Sequence, residues 1–186
     1  MKRYLLALTG ASGIPYATSL FQTLLEIPDS EVHVLLSDAA LQVMHLETDC
    51  RPEFFAEQGG FVYREQDLSA PMASGSWLHH GLVVCPCSMA TLAAVSNGFG
   101  NNLIHRAADV SLKEKRPLIL VPRETPLNQI HLKNMLEAAR AGATILPACP
   151  GFYHQPRTIQ DVLNHIVGRI LDHLDIEHNL FPRWGI

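Results

Sequence analysis

Long apolar runs are missing from this sequence: no stretch approaches the roughly 20 residues that a bilayer-spanning helix needs. Positive charge is also scarce. Fourteen lysines and arginines face 18 aspartates and glutamates, a formal net charge of −4, without the basic stripe of a nucleic-acid binder. Cysteine is limited to Cys50, Cys85, Cys87 and Cys149. Cys85-Pro86-Cys87 has neither the wider spacing of structural zinc pairs nor the C-x-x-C of a thioredoxin-like redox motif. Ten histidines are scattered without an H-E-x-x-H, and the pair His79-His80 has no partner at helical spacing. No metal-ligand set assembles, so no metal is expected. Internal repeats, linkers and low-complexity segments are absent as well.

What is present reads as one globular domain over residues 1–186. The chain is 47% hydrophobic and 17% charged, enough to bury a sizeable core. The start, Met1-Lys2-Arg3-Tyr4 and then Leu5-Leu6-Ala7-Leu8-Thr9, has the look of a signal peptide. It runs straight into a glycine turn with an ordered pattern behind it, so a buried first strand and a cytoplasmic protein are expected.

Apolar runs alternate with segments of helical period. Strands are predicted at 3–9, 31–36, 81–85, 117–121 and 143–147. Helices are predicted at 14–26, from Asp38, from Ser88, and at 101–115, 126–141 and 158–174. The stretch 50–80 is less regular, and Pro86 is expected to end its strand because it cannot donate to a ladder. Strands alternating with helices imply a doubly wound parallel α/β sheet, Rossmann-like, with ligands outside the carboxyl ends of the strands.

The residues just after each strand therefore matter most. Gly10-Ala11-Ser12-Gly13 lets backbone amides approach an anion, although a tight strand-to-helix turn would look the same. Ser37 starts a helix, either as a simple N-cap or as a ligand hydroxyl. Glu47 reads as a solvated carboxylate at a helix end. Ser88, Met89, Ala90 and Thr91 form a first helical turn whose free amides and two hydroxyls suit a phosphate, while Cys85 and Cys87 read as small packing residues. Arg106 and Lys113, two turns apart, are either a solvated basic flank or part of a pocket. In "VPRETPL", Pro122 and Pro126 frame the opposite charges Arg123 and Glu124. Tyr153 sits in a second proline-framed loop, and Arg169 flanks the apolar stripe of the last helix. Four cations near strand ends in an acidic chain point to a focused anion pocket.

Taken jointly and in order, several segments resemble the flavin prenyltransferases of the UbiX type, formerly described as aromatic-acid decarboxylases. They are "GASGIPY" (10–16), "SDAA" (37–40), "LETD" (46–49), "ASGS" (73–76), "PCSMATLAA" (86–94), "RAADVSLKEKRPL" (106–118), "VPRETPL" (121–127), "HLKNML" (131–136), "GFYHQP" (151–156), "GRILD" (168–172) and the terminal "RW" (183–184). Asn101 and Gly151 depart from the family's common aspartate and alanine. The resemblance implies transfer of a dimethylallyl group from dimethylallyl phosphate to N5 and then C6 of reduced FMN, without a metal. It also implies a homododecamer with active sites at subunit interfaces, and a product used by a UbiD-type decarboxylase.

Carried onto this chain, the resemblance gives Gly10, Ala11 and Ser12 to the flavin, with Ser12 near N5. Ser37, the Ser88–Thr91 turn (with Met89 and Ala90) and Arg123 would take the FMN phosphate and ribityl chain. Tyr153 and Arg169, assisted by Arg106 and Lys113, would hold the prenyl phosphate. Glu47 and Glu124 would handle protons, and Trp77 and Trp184 would line the prenyl pocket or pack at an interface. Two other readings compete. FMN-dependent cysteine decarboxylases carry P-A-S-A-N-T and a histidine near the first helix; here the stretch is Pro86-Cys87-Ser88-Met89-Ala90-Thr91, and 14–30 holds no histidine. A non-catalytic FMN-binding subunit would keep Ser12, Ser37 and the Ser88–Thr91 cradle but need not keep Tyr153, Arg169 and Glu124.

Overall fold

The first strand, β1 (Lys2–Leu8), shows how this sequence folds. Its side chains alternate between two cores: Tyr4, Leu6 and Leu8 enter one, Leu5 and Ala7 the other. A strand apolar on both sides is stable only between two layers of helices. The computed structural model, which describes residues 1–185, has that arrangement. Strands β1, β2 (Ser30–Leu36), β3 (Phe61–Arg64), β4 (Leu82–Cys87), β5 (Leu118–Pro122) and β6 (Thr144–Ile145) form one sheet in the order β3-β2-β1-β4-β5-β6. Every neighbouring pair is parallel.

Helices α1 (Ile14–Leu25), α2 (Asp38–Glu47), α3 (Glu53–Glu57) and α7 (Ile159–His173) contribute to the first core. Helices α4 (Met89–Ser96), α5 (Leu103–Lys113) and α6 (Gln129–Arg140) cover the other face. Side chains placed one residue ahead of each helix fix several starts. Ser37, Ser88, Asn102, Asn128 and Thr158 each accept an amide hydrogen from the first turn of the following helix.

Three expectations change. The stretch 50–80 contains α3, β3 and a 3-10 turn at Pro71–Ala73. The strand expected to stop at Pro86 continues through it to Cys87, which pairs with Pro122 after a register shift beyond Val84. Pro86 lacks an amide hydrogen, but its carbonyl accepts from both the amide and the hydroxyl of Thr9. Finally, the stripe of α7 buries less than its periodicity suggests. Ile159 is exposed, and full burial starts only at His165.

Candidate active site

Three chain segments converge where β1, β4 and β5 end. After β1 the backbone turns through Gly10–Gly13, and Gly13 takes φ 126°, a conformation that favours glycine. Gly10 lies against α2 so closely that an added Cβ would be 2.5 Å from that of Ala39. Helix α1 has no cap of its own at Gly13. Glu47, the last residue of α2, supplies one: Oε2 accepts the amides of Gly13 and Ile14 at 2.9 and 3.0 Å. Ser12 adds a side-chain hydrogen bond, and Arg123 lies near enough to act by charge. Burial disfavours the ionised Glu47, yet these bonds outweigh it and hold the carboxyl below its usual range. Glu47 is therefore a fixed anion capping a helix, rather than the free helix-end carboxylate expected.

Arg123 completes this corner by donating Nε–H to the Ser12 carbonyl at 3.2 Å. Among the described residues, the opposite charges Arg123 and Glu124 framed by the two prolines do not pair with each other. Glu124 instead folds back to accept the Thr125 amide at 2.9 Å, and its side chain stays exposed.

At the start of α4, Ser88 Oγ accepts the Thr91 amide at 3.2 Å and donates to Thr91 Oγ1 at 3.1 Å. Thr9, at the polar end of an apolar run and without a signal of its own in the sequence, anchors this turn. Its buried hydroxyl donates to the Pro86 carbonyl at 2.8 Å and accepts the Ser88 amide at 2.8 Å. No protein partner takes the Met89 and Ala90 amides among the described residues, so the turn can receive an anion. The start of α2 is more occupied. Ser37 caps it, and Glu65, also unforeseen, accepts the Asp38 amide at 2.7 Å while Asn102 donates to its other oxygen. Anion binding therefore falls mainly to α4. Cys85 and Cys87 are fully buried, and burial pushes both thiols up, that of Cys87 to about 12. They pack; they are not nucleophiles.

A second group forms along α7. Tyr153 Oη lies 3.3 Å from His165 Nε2, and its ring meets Trp184 edge-on at 5.2 Å. Arg169 follows His165 by one turn on the same face. It is exposed rather than buried, and it pairs with Asp172 at 2.8 Å, as does Arg183.

Arg106 and Lys113 lie elsewhere. Arg106 donates to the Ala73 carbonyl and pairs with Asp109, and Lys113 pairs with Glu114 beside Gly75. Both belong to α5, on the sheet face opposite α7. Within one chain they do not join Tyr153 and Arg169. Trp77 stays near them, edge-on to His33 with Arg3 above its ring. Among the described residues, no group of three or more histidine, cysteine or acidic side chains is placed to hold a metal ion.

The Flavoprotein family matches residues 1–171. The flavin prenyltransferase UbiX of Pseudomonas aeruginosa is 48% identical, across 99% of this chain and 94% of that protein. A UbiX protein, PadA1, solved in complex with FMN and dimethylallyl pyrophosphate, superposes with a TM-score of 0.95 at 43% identity, covering 99% of this chain and 97% of that one. A dodecameric FMN-dependent UbiX-like decarboxylase from Escherichia coli O157:H7 gives 0.94 at 42%, covering 98% of each chain. Identity at this level along nearly the whole length, joined to the strand-end corner above, places the protein: the chain belongs to the Flavoprotein family and, within it, to the flavin prenyltransferases.

Proposed function

We propose that this protein transfers a dimethylallyl group from dimethylallyl phosphate to reduced FMN, giving prenylated FMN. The observation that carries the reading is the meeting of Ser12, Glu47 and Arg123 beside the open first turn of α4. Such a corner offers one amide-rich seat for a phosphate and one fixed anion next to the turn that follows β1. Reduced FMN supplies the nucleophilic N5 and, for ring closure, C6.

In this reading Gly10, Ala11 and Ser12 border the flavin. The Ser88–Thr91 turn and Arg123 take its phosphate and ribityl chain, with Ser37 at their edge. Tyr153 and Arg169 hold the prenyl phosphate. Breaking the allylic C–O bond leaves charge on phosphate oxygens, and preorganised donors stabilise it as it develops. A guanidinium and a phenol achieve this without a metal. Glu47, held ionised, is suited to accept or orient a proton rather than to donate one. Glu124, exposed and held by the Thr125 amide, is the second proton-handling carboxylate.

Arg106 and Lys113 enter this scheme from a neighbouring copy, and the protein works as a homo-oligomer, a dodecamer. Apolar side chains left exposed on and before α6 (Leu127, Ile130, Leu132 and Leu136) support such an assembly. No described helix is long and apolar enough to cross a membrane, and we place the reaction in the cytoplasm, with the product passed to a UbiD-type decarboxylase. The test is the mass of the flavin after anaerobic incubation with dimethylallyl phosphate; comparison with the pyrophosphate fixes the donor.

A further inference from the structure

We infer that His165 is a positioning residue for Tyr153: its Nε2–H holds the phenol oxygen, which turns the Tyr153 hydroxyl proton outward toward a phosphate oxygen of the prenyl donor. This rests on the prenyl-phosphate role proposed for Tyr153.

His165 lies on the flank of the α7 stripe, one turn before Arg169, yet it is only 7% exposed. A buried imidazole needs partners for both nitrogens. Nδ1 faces the Gly151 amide at 3.4 Å, and Nε2 faces Tyr153 Oη at 3.3 Å. The amide can only donate, so Nδ1 must present its lone pair. In a neutral ring the proton then sits on Nε2, and the phenol oxygen accepts it. The Tyr153 hydroxyl hydrogen is then left without an acceptor among the described residues.

The ring is also held in place. His154 stacks on it at 5.1 Å with planes 6° apart, and Phe181 packs at 4.8 Å. Burial, first of all, and then the charges of His154 and Arg169 push the His165 pKa down, which favours the neutral ring. Gly151 makes the approach possible, since a Cβ there would sit 3.0 Å from the Tyr153 ring. Both hydrogen bonds are long, as such contacts often are before a substrate binds and tightens them. Tyr153 is 42% exposed, so its hydroxyl can meet a ligand.

The first test needs no substrate. Nitrogen NMR of the sedimented, 15N-histidine-labelled protein, with His165 assigned by loss of its signals in His165→Gln, should show Nδ1 bare and Nε2 protonated. A proton on Nδ1 of the neutral ring would overturn the inference even in a fully active enzyme. The second test uses His165→Phe, which keeps the ring and removes both nitrogens. KM for dimethylallyl phosphate should rise about three- to tenfold, the worth of one neutral hydrogen bond, with FMN affinity unchanged. His165→Gln, whose amide reaches the Nε2 position, should recover most of the loss. In a Tyr153→Phe background His165→Phe should add nothing, because a residue that acts through Tyr153 has no further path. An unchanged KM, or a full effect in that background, would contradict the assignment. Failure of the unmodified protein to alkylate FMN would instead count against the prenyl-transfer reading, and the NMR result would still decide the tautomer.

Discussion

Glu47 and Gly13 stand 34 positions apart in sequence, yet a carboxylate oxygen of the first accepts the amide of the second at 2.9 Å. The bond ties the end of α2 to the start of α1 and fixes the turn that follows β1. It joins helix capping and site geometry in one side chain.

Replacing Glu47 with glutamine should therefore loosen both. Loss of a capping carboxylate costs about 1 kcal/mol at a partly exposed helix start, read as a lower denaturation midpoint. The folded-state pKa of Glu47 is depressed, so its contribution is complete above the unfolded carboxylate range and disappears as pH falls through the lower folded value. Stability curves of the unmodified protein and Glu47→Gln should converge below about pH 4.5. A constant gap across that range would refute the charged cap.

Ser88 and Thr9 should show different signatures. Ser88→Ala removes a helix cap and a hydroxyl from the anion seat. Stability should fall by about 1 kcal/mol, and FMN should bind more weakly. Thr9→Val strands the Ser88 amide and leaves the Pro86 carbonyl with the residue-9 amide alone, at a cost of about 1–3 kcal/mol. Chemical denaturation with parallel FMN titration separates the two; equal FMN affinity in Ser88→Ala and the unmodified protein would remove Ser88 from the seat.

How far these contacts were legible in the sequence varies in a physical way. β1 announced itself because a strand buried on both faces must be apolar throughout, and the α7 helix announced itself by its stripe. The continuation of β4 through Pro86 was hidden, since the missing amide was visible but the acceptance of Thr9 by the Pro86 carbonyl was not. Thr9 looked like the polar end of an apolar run. Glu65 and His165 had no local signal: one reaches the start of another helix, and the other is a ring on the flank of the α7 stripe whose partners come from a loop. Arg123 and Glu124 were adjacent in sequence, but adjacency on a loop does not set side-chain direction, and they part company.

Cys85 and Cys87 should prove dispensable for turnover. Alanine at either position removes a buried sulfur and should cost about 1 kcal/mol of stability, while the rate of flavin alkylation by the folded variants stays within about twofold. Loss of alkylation in a variant that is folded and binds FMN would restore a chemical role to the thiol.

Gly10→Ala tests the close approach of the first turn to α2. The new methyl group meets Ala39 at 2.5 Å, an overlap that forces the elements apart at about 1–3 kcal/mol. FMN affinity should fall together with thermal stability. Unchanged affinity at lowered stability would place the flavin away from this turn.

The central claim is that the strand-end corner seats a flavin for alkylation by an allylic phosphate. Its most direct measurement is the mass of the flavin recovered after anaerobic incubation of the protein with FMN, a reductant and dimethylallyl phosphate. The flavin is predicted to gain one C5H8 unit. A flavin of unchanged mass, from protein shown to bind FMN under the same conditions, would contradict the account.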